Sequence, residues 1–300
     1  MTARYLYRLY GLLAASDLPL PELFTVAGGQ PQIFFRYANI PQDRLEERKQ
    51  LGPFHTVSPG RLWLHVPNIA RFLVLDGKEV WIDPSPGIDE DSIRVFLLGA
   101  CVGALLMQRG LLVLRGCAVR VGDGCILCLG DSASGKTTLA AALMQRGHAV
   151  LSDDIVAIDN KNCAIPGFPD LKLWHDAAKK LGIPTEGLRR TRSCIEKFHV
   201  PLGDFFQNHP LPVRRIYALQ PDNSTEFRLE HIAGMERFSC LHACSYRPLY
   251  IESMQLKGKH LQSCAAFSGN IPMQYLFRPE HPFMVKELAD FILADMGRTK

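Results

Sequence analysis

With 300 residues, 47% of them hydrophobic and 21% charged, the chain has the makings of a soluble globular protein with a large core and one or two domains. A net charge of +4, with no arginine-rich run or basic tail, gives no electrostatic footprint for nucleic acid. The longest apolar run, Val95 to Met107, has 13 residues, short of the roughly 20 needed to cross a bilayer, so no membrane partner is expected. Nine cysteines are scattered through apolar segments and no signal-like stretch opens the chain, which predicts free thiols in a reducing cytoplasm.

Residues 1–88 read as a β-rich N-terminal domain. Tyr5 to Leu9, Ile33 to Tyr37 and Arg61 to Val66 alternate as half-buried strands do, and Ser16 to Pro21 is turn-prone. Arg71 to Leu75 and Glu79 to Ile82 predict a hairpin with Asp76-Gly77 near its turn. Gln42 to Gln50 is a charged stretch expected as a surface loop or short helix, and the isolated His55 and His65 lack metal-ligand spacing.

Pro84 and Pro86 resist helix and sheet alike, which places a boundary near residue 88 and a second domain over 89–300. Asp89 to Gln108 predicts a buried helix with acidic residues in its first turn and a stop at Arg109-Gly110; Gly99 and Gly103 permit a close neighbour. Leu111 to Val121 is a strand, and Gly122-Asp123-Gly124 turns it back into another, Cys125 to Leu129.

Gly130-Asp131-Ser132-Ala133-Ser134-Gly135-Lys136-Thr137 is a complete G-x-x-x-x-G-K-[ST] match, and Thr138 follows it. It stands between that strand and a predicted helix from Lys136 to about Arg146, the context a phosphate-binding loop needs. The two glycines let backbone N–H groups converge on phosphate oxygens, and the helix N-terminus adds its partial positive charge. Lys136 would reach the terminal phosphates and Thr137 would hold Mg²⁺. Ala149 to Ile158 then reads as a strand carrying Asp153 and Asp154. Neighbours on a strand face opposite ways, so one carboxylate can serve the metal and the other a hydroxyl nucleophile.

The run from Gly130 to Asp159 resembles the catalytic core of bacterial HPr kinase/phosphorylase: a phosphate loop, its helix, Arg146-Gly147-His148 and an Asp-Asp pair. The resemblance implies an α/β, phosphoenolpyruvate-carboxykinase-like P-loop core with a mixed sheet, which would account for the hairpin. Softer patterns over most of the chain are similar to the HPr-kinase-like proteins encoded with lasso-peptide precursors. They are Tyr7 to Leu12 with Ser16 to Leu23, Leu97 to Ala100 with Gln108 to Leu114, and Pro166 to Trp174. Some members of that group phosphorylate a serine at the precursor's C-terminus, so the resemblance implies ATP, Mg²⁺ and a peptide substrate. It also favours Asp153 as the base and Asp154, with Thr137, at the metal. Two departures are visible. Arg115 stands where the family usually has His, and Lys136-Thr137-Thr138 lacks the acidic residue that follows in the parent family.

Between residues 166 and 215, nine basic side chains face five acidic ones, an excess suited to transferring phosphate or an acidic tail. Lys197 is the preferred catalytic cation there, because Glu196 to Leu202 resembles the lysine-bearing segment of the narrower group. Leu173-Trp174 is expected in the core. Beyond lie a predicted strand at Ile216 to Leu219, a helix near Gly234 to Cys244, a strand near Gln274 to Phe277 and a terminal helix from about Pro282 to Asp295. Cys240, His242 and Cys244 share no helix face that would suit zinc. The resulting expectation is a serine kinase. A non-catalytic ATP-binding regulator or scaffold, and a kinase for free serine or another small hydroxyl compound, remain as alternatives. Acceptor identity, nucleotide preference and homo-oligomer formation stay open.

Overall fold

The computed structural model describes residues 5–40, 49–50, 55–58, 60–192, 195–269 and 271–297. They divide into two compact units, one of residues 1–113 with 246–263 and one of residues 114–245 with 264–300.

Among the described residues of the first unit, nine strands form one sheet. Their order is Phe24–Thr25, Tyr5–Leu9, Leu12–Ser16, Ile33–Tyr37, Glu79–Pro84, Ala70–Leu75, Arg61–Val66, His55–Ser58 and Lys49–Gln50. In Glu79–Pro84, Val80 and Ile82 are buried while Glu79, Trp81 and Asp83 are half-buried, the alternation of a sheet with one covered face. The hairpin expected around Asp76-Gly77 is present, with both residues in the left-handed region (φ 49° and 64°) and Lys78 completing a three-residue connection. Tyr10-Gly11 also takes positive φ (47° and 70°) and, as a two-residue turn, pairs Tyr5–Leu9 with Leu12–Ser16, a strand absent from the sequence analysis. Of the charged stretch 42–50, residues 42–48 lie outside the described residues and Lys49–Gln50 are strand.

The predicted buried helix runs from Glu90 to Gln108, with Asp89 Oδ1 accepting from the Ser92 N–H (2.7 Å) as its N-cap and a π-helical stretch at Leu97–Cys101. Gly103 is needed there: a Cβ would fall 2.5 Å from the Tyr246 ring. The helix belongs with the first sheet rather than with the second unit. Gln108 Oε1 accepts from the Gly77 N–H (2.7 Å), Arg109 donates to the Gly77 carbonyl (2.9 Å), and the Phe96 and Phe72 rings lie 6.4 Å apart. The division therefore falls at residue 113, not 88. The two prolines end a strand, and the chain folds straight back onto the sheet it has left.

The second unit is mixed α/β. Seven strands among its described residues run in the order Gly124–Leu129, Leu112–Val121, Val150–Ile158, Cys163–Ile165, Leu211–Asp222, Met273–Pro279, Arg228–His231. Gly124–Leu129 pairs antiparallel with Leu112–Val121 on one edge and parallel with Leu211–Asp222 on the other, so the sheet is mixed where the predicted hairpin enters it. Helices Lys136–Met144 and Val285–Gly297 pack together, with Leu139, Leu143, Leu288 and Ile292 in one apolar core with Tyr217. A separate two-stranded sheet, Asp170–Trp174 with Lys197–Pro201, leads into helix His175–Leu181, elements to which the sequence pattern gives no clear signal. Its strands follow the period of two, with Leu171 and Leu173 buried and Lys172 and Trp174 turned outward. Leu173 joins the core as expected. Trp174 does not: it is 51% exposed.

Candidate active site

The strand Gly124–Leu129 is buried throughout and delivers the chain to Gly130, where φ is 146°. A Cβ at Gly130 would also press on the Leu219 carbonyl oxygen and on Ser134 Oγ, both 3.1 Å away, so conformation and space both require glycine. Ala133 adopts φ 65°, a left-handed conformation that costs a non-glycine residue about 1–2 kcal/mol. The helix Lys136–Met144 then starts at Gly135 with no side chain capping its first turn. An uncapped first turn beside a curled loop offers its N–H groups to an anion.

Lys136 is only 7% exposed. Its Nζ donates to the Asp131 carbonyl oxygen and to Ser134 Oγ (3.2 Å). Among the described residues, no carboxylate comes within ion-pair distance of it. Burial accordingly pulls its pKa below the usual lysine value, against the opposing pull of Cys117, Asp153 and Asp154.

Arg278, which the sequence reading missed, lies on the same loop. Its Nε donates to the Ser134 carbonyl oxygen (3.0 Å), and a Cβ on Gly135 would come within 3.3 Å of the guanidinium. The available signal was a lone cation in an otherwise aromatic and apolar strand, Tyr275-Leu276-Phe277-Arg278.

The two aspartates do face different ways. Thr137 Oγ1 donates to Asp153 Oδ1 (2.8 Å), and the Lys172 N–H approaches Asp153 Oδ2 (3.4 Å). Burial first, and then the neighbouring Asp154 carboxylate, push Asp153 up to about 6, while the Thr137 hydrogen bond and Lys197 pull it down. The strand runs on through the pair but is distorted there: Ser152 Oγ donates across it to the Ile155 carbonyl oxygen, and Asp154 takes φ 67°. That distortion holds Asp154 exposed against a cavity of about 450 Å³, while Asp153 stays buried beside the loop helix. The residue in contact with Thr137 is thus Asp153, whereas the resemblance had put Asp154 there.

The cavity gathers most of the residues singled out from sequence. The loop contributes Ser132, Ala133, and Gly135 through Thr138; Arg115 and Lys197 join Asp154 on the wall. Gly130, Asp131 and Ser134 instead border a second cavity of similar volume, which shares Ser132 and Ala133 with the first. The Lys197 Nζ lies 5.7 Å from the centre of the Trp174 ring, also on the wall of the first cavity. Arg115, Lys136, Lys172, Lys180, Lys197 and Arg278 give that cavity six basic groups against three acidic ones, Asp154, Asp176 and Glu280. Such a surplus draws anions.

The donors present suit a hard cation. Among the described residues, no group of three or more His, Cys, Asp or Glu side chains is placed to hold a metal. Mg²⁺ takes one or two protein oxygens and completes its shell with water and substrate phosphates, so the Thr137 hydroxyl and the Asp153 carboxyl are a fitting pair.

Compared by sequence, the chain matches no family model and no curated protein. Among solved structures it is similar to the Hpr(Ser) kinase/phosphatase from Coxiella burnetii, with 15% identity and a TM-score of 0.32, over 62% of this chain and 98% of that one. That likeness is too distant to assign residues, and those of the cavity stand on their own geometry. No helix among the described residues is long and apolar enough to cross a membrane.

Proposed function

We propose that the chain is a kinase that uses ATP and Mg²⁺ to phosphorylate a serine or threonine hydroxyl. The acceptor in this reading is peptide-borne, the C-terminal serine of a lasso-peptide precursor, as the sequence resemblance implies. The observation that carries the reading is Lys136: a buried cation with no carboxylate at hand, set between a curled loop and an uncapped helix start. A group of that kind is complete only with an anionic ligand, and the terminal phosphates of a nucleotide supply one.

The loop N–H groups and Lys136 bind the phosphates, and Thr137 Oγ1 with the Asp153 carboxyl holds the metal. When bound, the ion neutralises charge across the terminal phosphates. Asp154 faces the same cavity and is placed to orient the acceptor O–H. Asp154 takes the hydroxyl proton while the new O–P bond forms and the bond to the leaving diphosphate oxygen breaks. Arg115 and Lys197 add charge that favours the transferring phosphoryl group over water. This allocation exchanges the two aspartate roles implied by the resemblance, and the Thr137–Asp153 hydrogen bond is what supports the exchange.

Incubation with ATP, Mg²⁺ and serine-terminated peptides should give a mass gain of about 80 Da, one phosphoryl group. Nucleotide binding without transfer to any peptide or to free serine would reduce the protein to a sensor. The exchange of roles has its own test. Asp154→Asn should lower kcat by roughly 10² to 10⁴ with an unchanged Mg²⁺ requirement, whereas Asp153→Asn should raise the Mg²⁺ concentration needed for half-maximal rate. The reverse pattern returns Asp153 to the role of base.

A further inference from the structure

Two large aromatic side chains on the cavity wall are exposed, and each has a lysine over its ring. Trp174 lies beneath Lys197 (5.7 Å), and Phe283, 39% exposed, lies beneath Lys180 (4.8 Å). An exposed aromatic ring on a cavity wall offers a flat apolar face to a planar ligand.

The two sit in different chemical surroundings. The Trp174–Lys197 pair belongs to the aspartate side, since Lys197 pulls on the buried Asp153 carboxyl. Phe283 belongs to the segment that leaves the phosphate loop through Arg278, whose guanidinium rests on Ser134, and enters helix Val285–Gly297. Four residues separate Arg278 from Phe283, so their Cα atoms lie within about 18 Å of each other. Around it the cavity turns apolar: Pro279, Val285 and Leu288 are buried, and Phe227 is half-buried against Phe291 (5.5 Å between rings). The helix that carries Val285 and Leu288 packs along the phosphate-loop helix. A nucleotide has its terminal phosphate and its base at opposite ends. With the phosphates at Lys136 and transfer at Asp154, the base needs an apolar stretch of the cavity lining, and Pro279, Phe283, Val285 and Leu288 provide one.

We infer that Phe283 is the base-stacking residue of the nucleotide site, backed by Val285 and Leu288, with Lys180 holding its ring in place. Trp174 is left to the acceptor side. The inference rests on the proposed reading of the phosphate loop and adds to it the part of the site that recognises the nucleoside. Stacking on one aromatic ring is sequence-tolerant, so it supplies affinity for the base as a class of planar ring, and none for the phosphates.

The test is equilibrium binding to the full-length protein of two probes, ATP and inorganic tripolyphosphate, which carries the phosphates without a nucleoside. Phe283→Ala should weaken ATP by about tenfold and leave tripolyphosphate unchanged, and Phe283→Trp should keep ATP affinity near that of the parent. Unchanged ATP affinity in Phe283→Ala overturns the inference. So does an equal loss for both probes, or a selective loss of ATP in Trp174→Ala with none in Phe283→Ala. Lys136→Met separates the two levels. If it weakens neither probe, the phosphate-loop reading itself falls; if it weakens both while Phe283→Ala weakens neither, only the base site does.

Discussion

Two buried cations, one in each unit, are alike in exposure and opposite in surroundings. Arg94 is 6% exposed and stands among three carboxylates: Glu22 (3.1 Å), and Asp91 and Glu90 (3.7 Å) on the preceding helical turn. Lys136 is 7% exposed and meets a backbone carbonyl and a hydroxyl. Arg94 is enclosed by its own unit and has no charge to offer a ligand. Lys136 is held by groups that solvate it without neutralising it, which leaves its charge for something else. What separates structural from functional charge here is the partner set rather than burial.

Removing each cation should break the molecule in a different way. Lys136→Met should reduce phosphoryl transfer by about 10³-fold or more, because a charge aimed at the terminal phosphates is lost. Its thermal unfolding midpoint should stay level or rise, since a desolvated cation leaves with no carboxylate orphaned. A variant that unfolds early and keeps its turnover would place Lys136 with Arg94. Next in size, Arg94→Met should lower stability by about 3–5 kcal/mol, the cost of leaving Glu22 buried without the guanidinium. Glu22→Gln added to Arg94→Met should recover part of that loss, and no recovery would mean the ion pair is not what Arg94 contributes.

The sequence makes Lys136 legible and Arg278 not, and the reason is distance along the chain. The loop, its helix and the Asp153-Asp154 pair lie within about thirty residues, so spacing alone recovers them. Arg278 reaches Ser134 across 144 residues, and nothing in the local pattern tells which strand end will lie on the loop. The sheet of Asp170–Trp174 with Lys197–Pro201 was hidden for a related reason, as Pro184 and the basic residues between its halves give no strand signal. The strand Leu12–Ser16 was missed because Tyr10-Gly11 is a weaker turn signal than Asp76-Gly77, although both turns use positive φ. The exchange between Asp153 and Asp154 could not be read from alternation. Alternation says that neighbours diverge, and the positive φ of Asp154 decides where the second one goes.

The smallest expected effect carries the comparison to an anion. Asp153 is 7% exposed, and its pKa stands at about 6 in the folded chain against an ordinary 3.8. Between those values the folded protein binds a proton that the unfolded chain has released, so stability falls as pH rises from about 4 to about 6 and stays lower above. Two pH units correspond to about 2–3 kcal/mol, an upper figure for what the ionised carboxyl costs the metal-free protein. Asp153→Asn keeps an oxygen for the Thr137 hydroxyl and removes the charge. Measured in chelator, it should therefore unfold later than the parent at pH 8, by up to that amount, and together with it near pH 4. If Asp153→Asn instead ran parallel to the parent at every pH, its carboxyl would be neutralised within the fold as Glu22 is by Arg94, and it would no longer be waiting for a cation from outside.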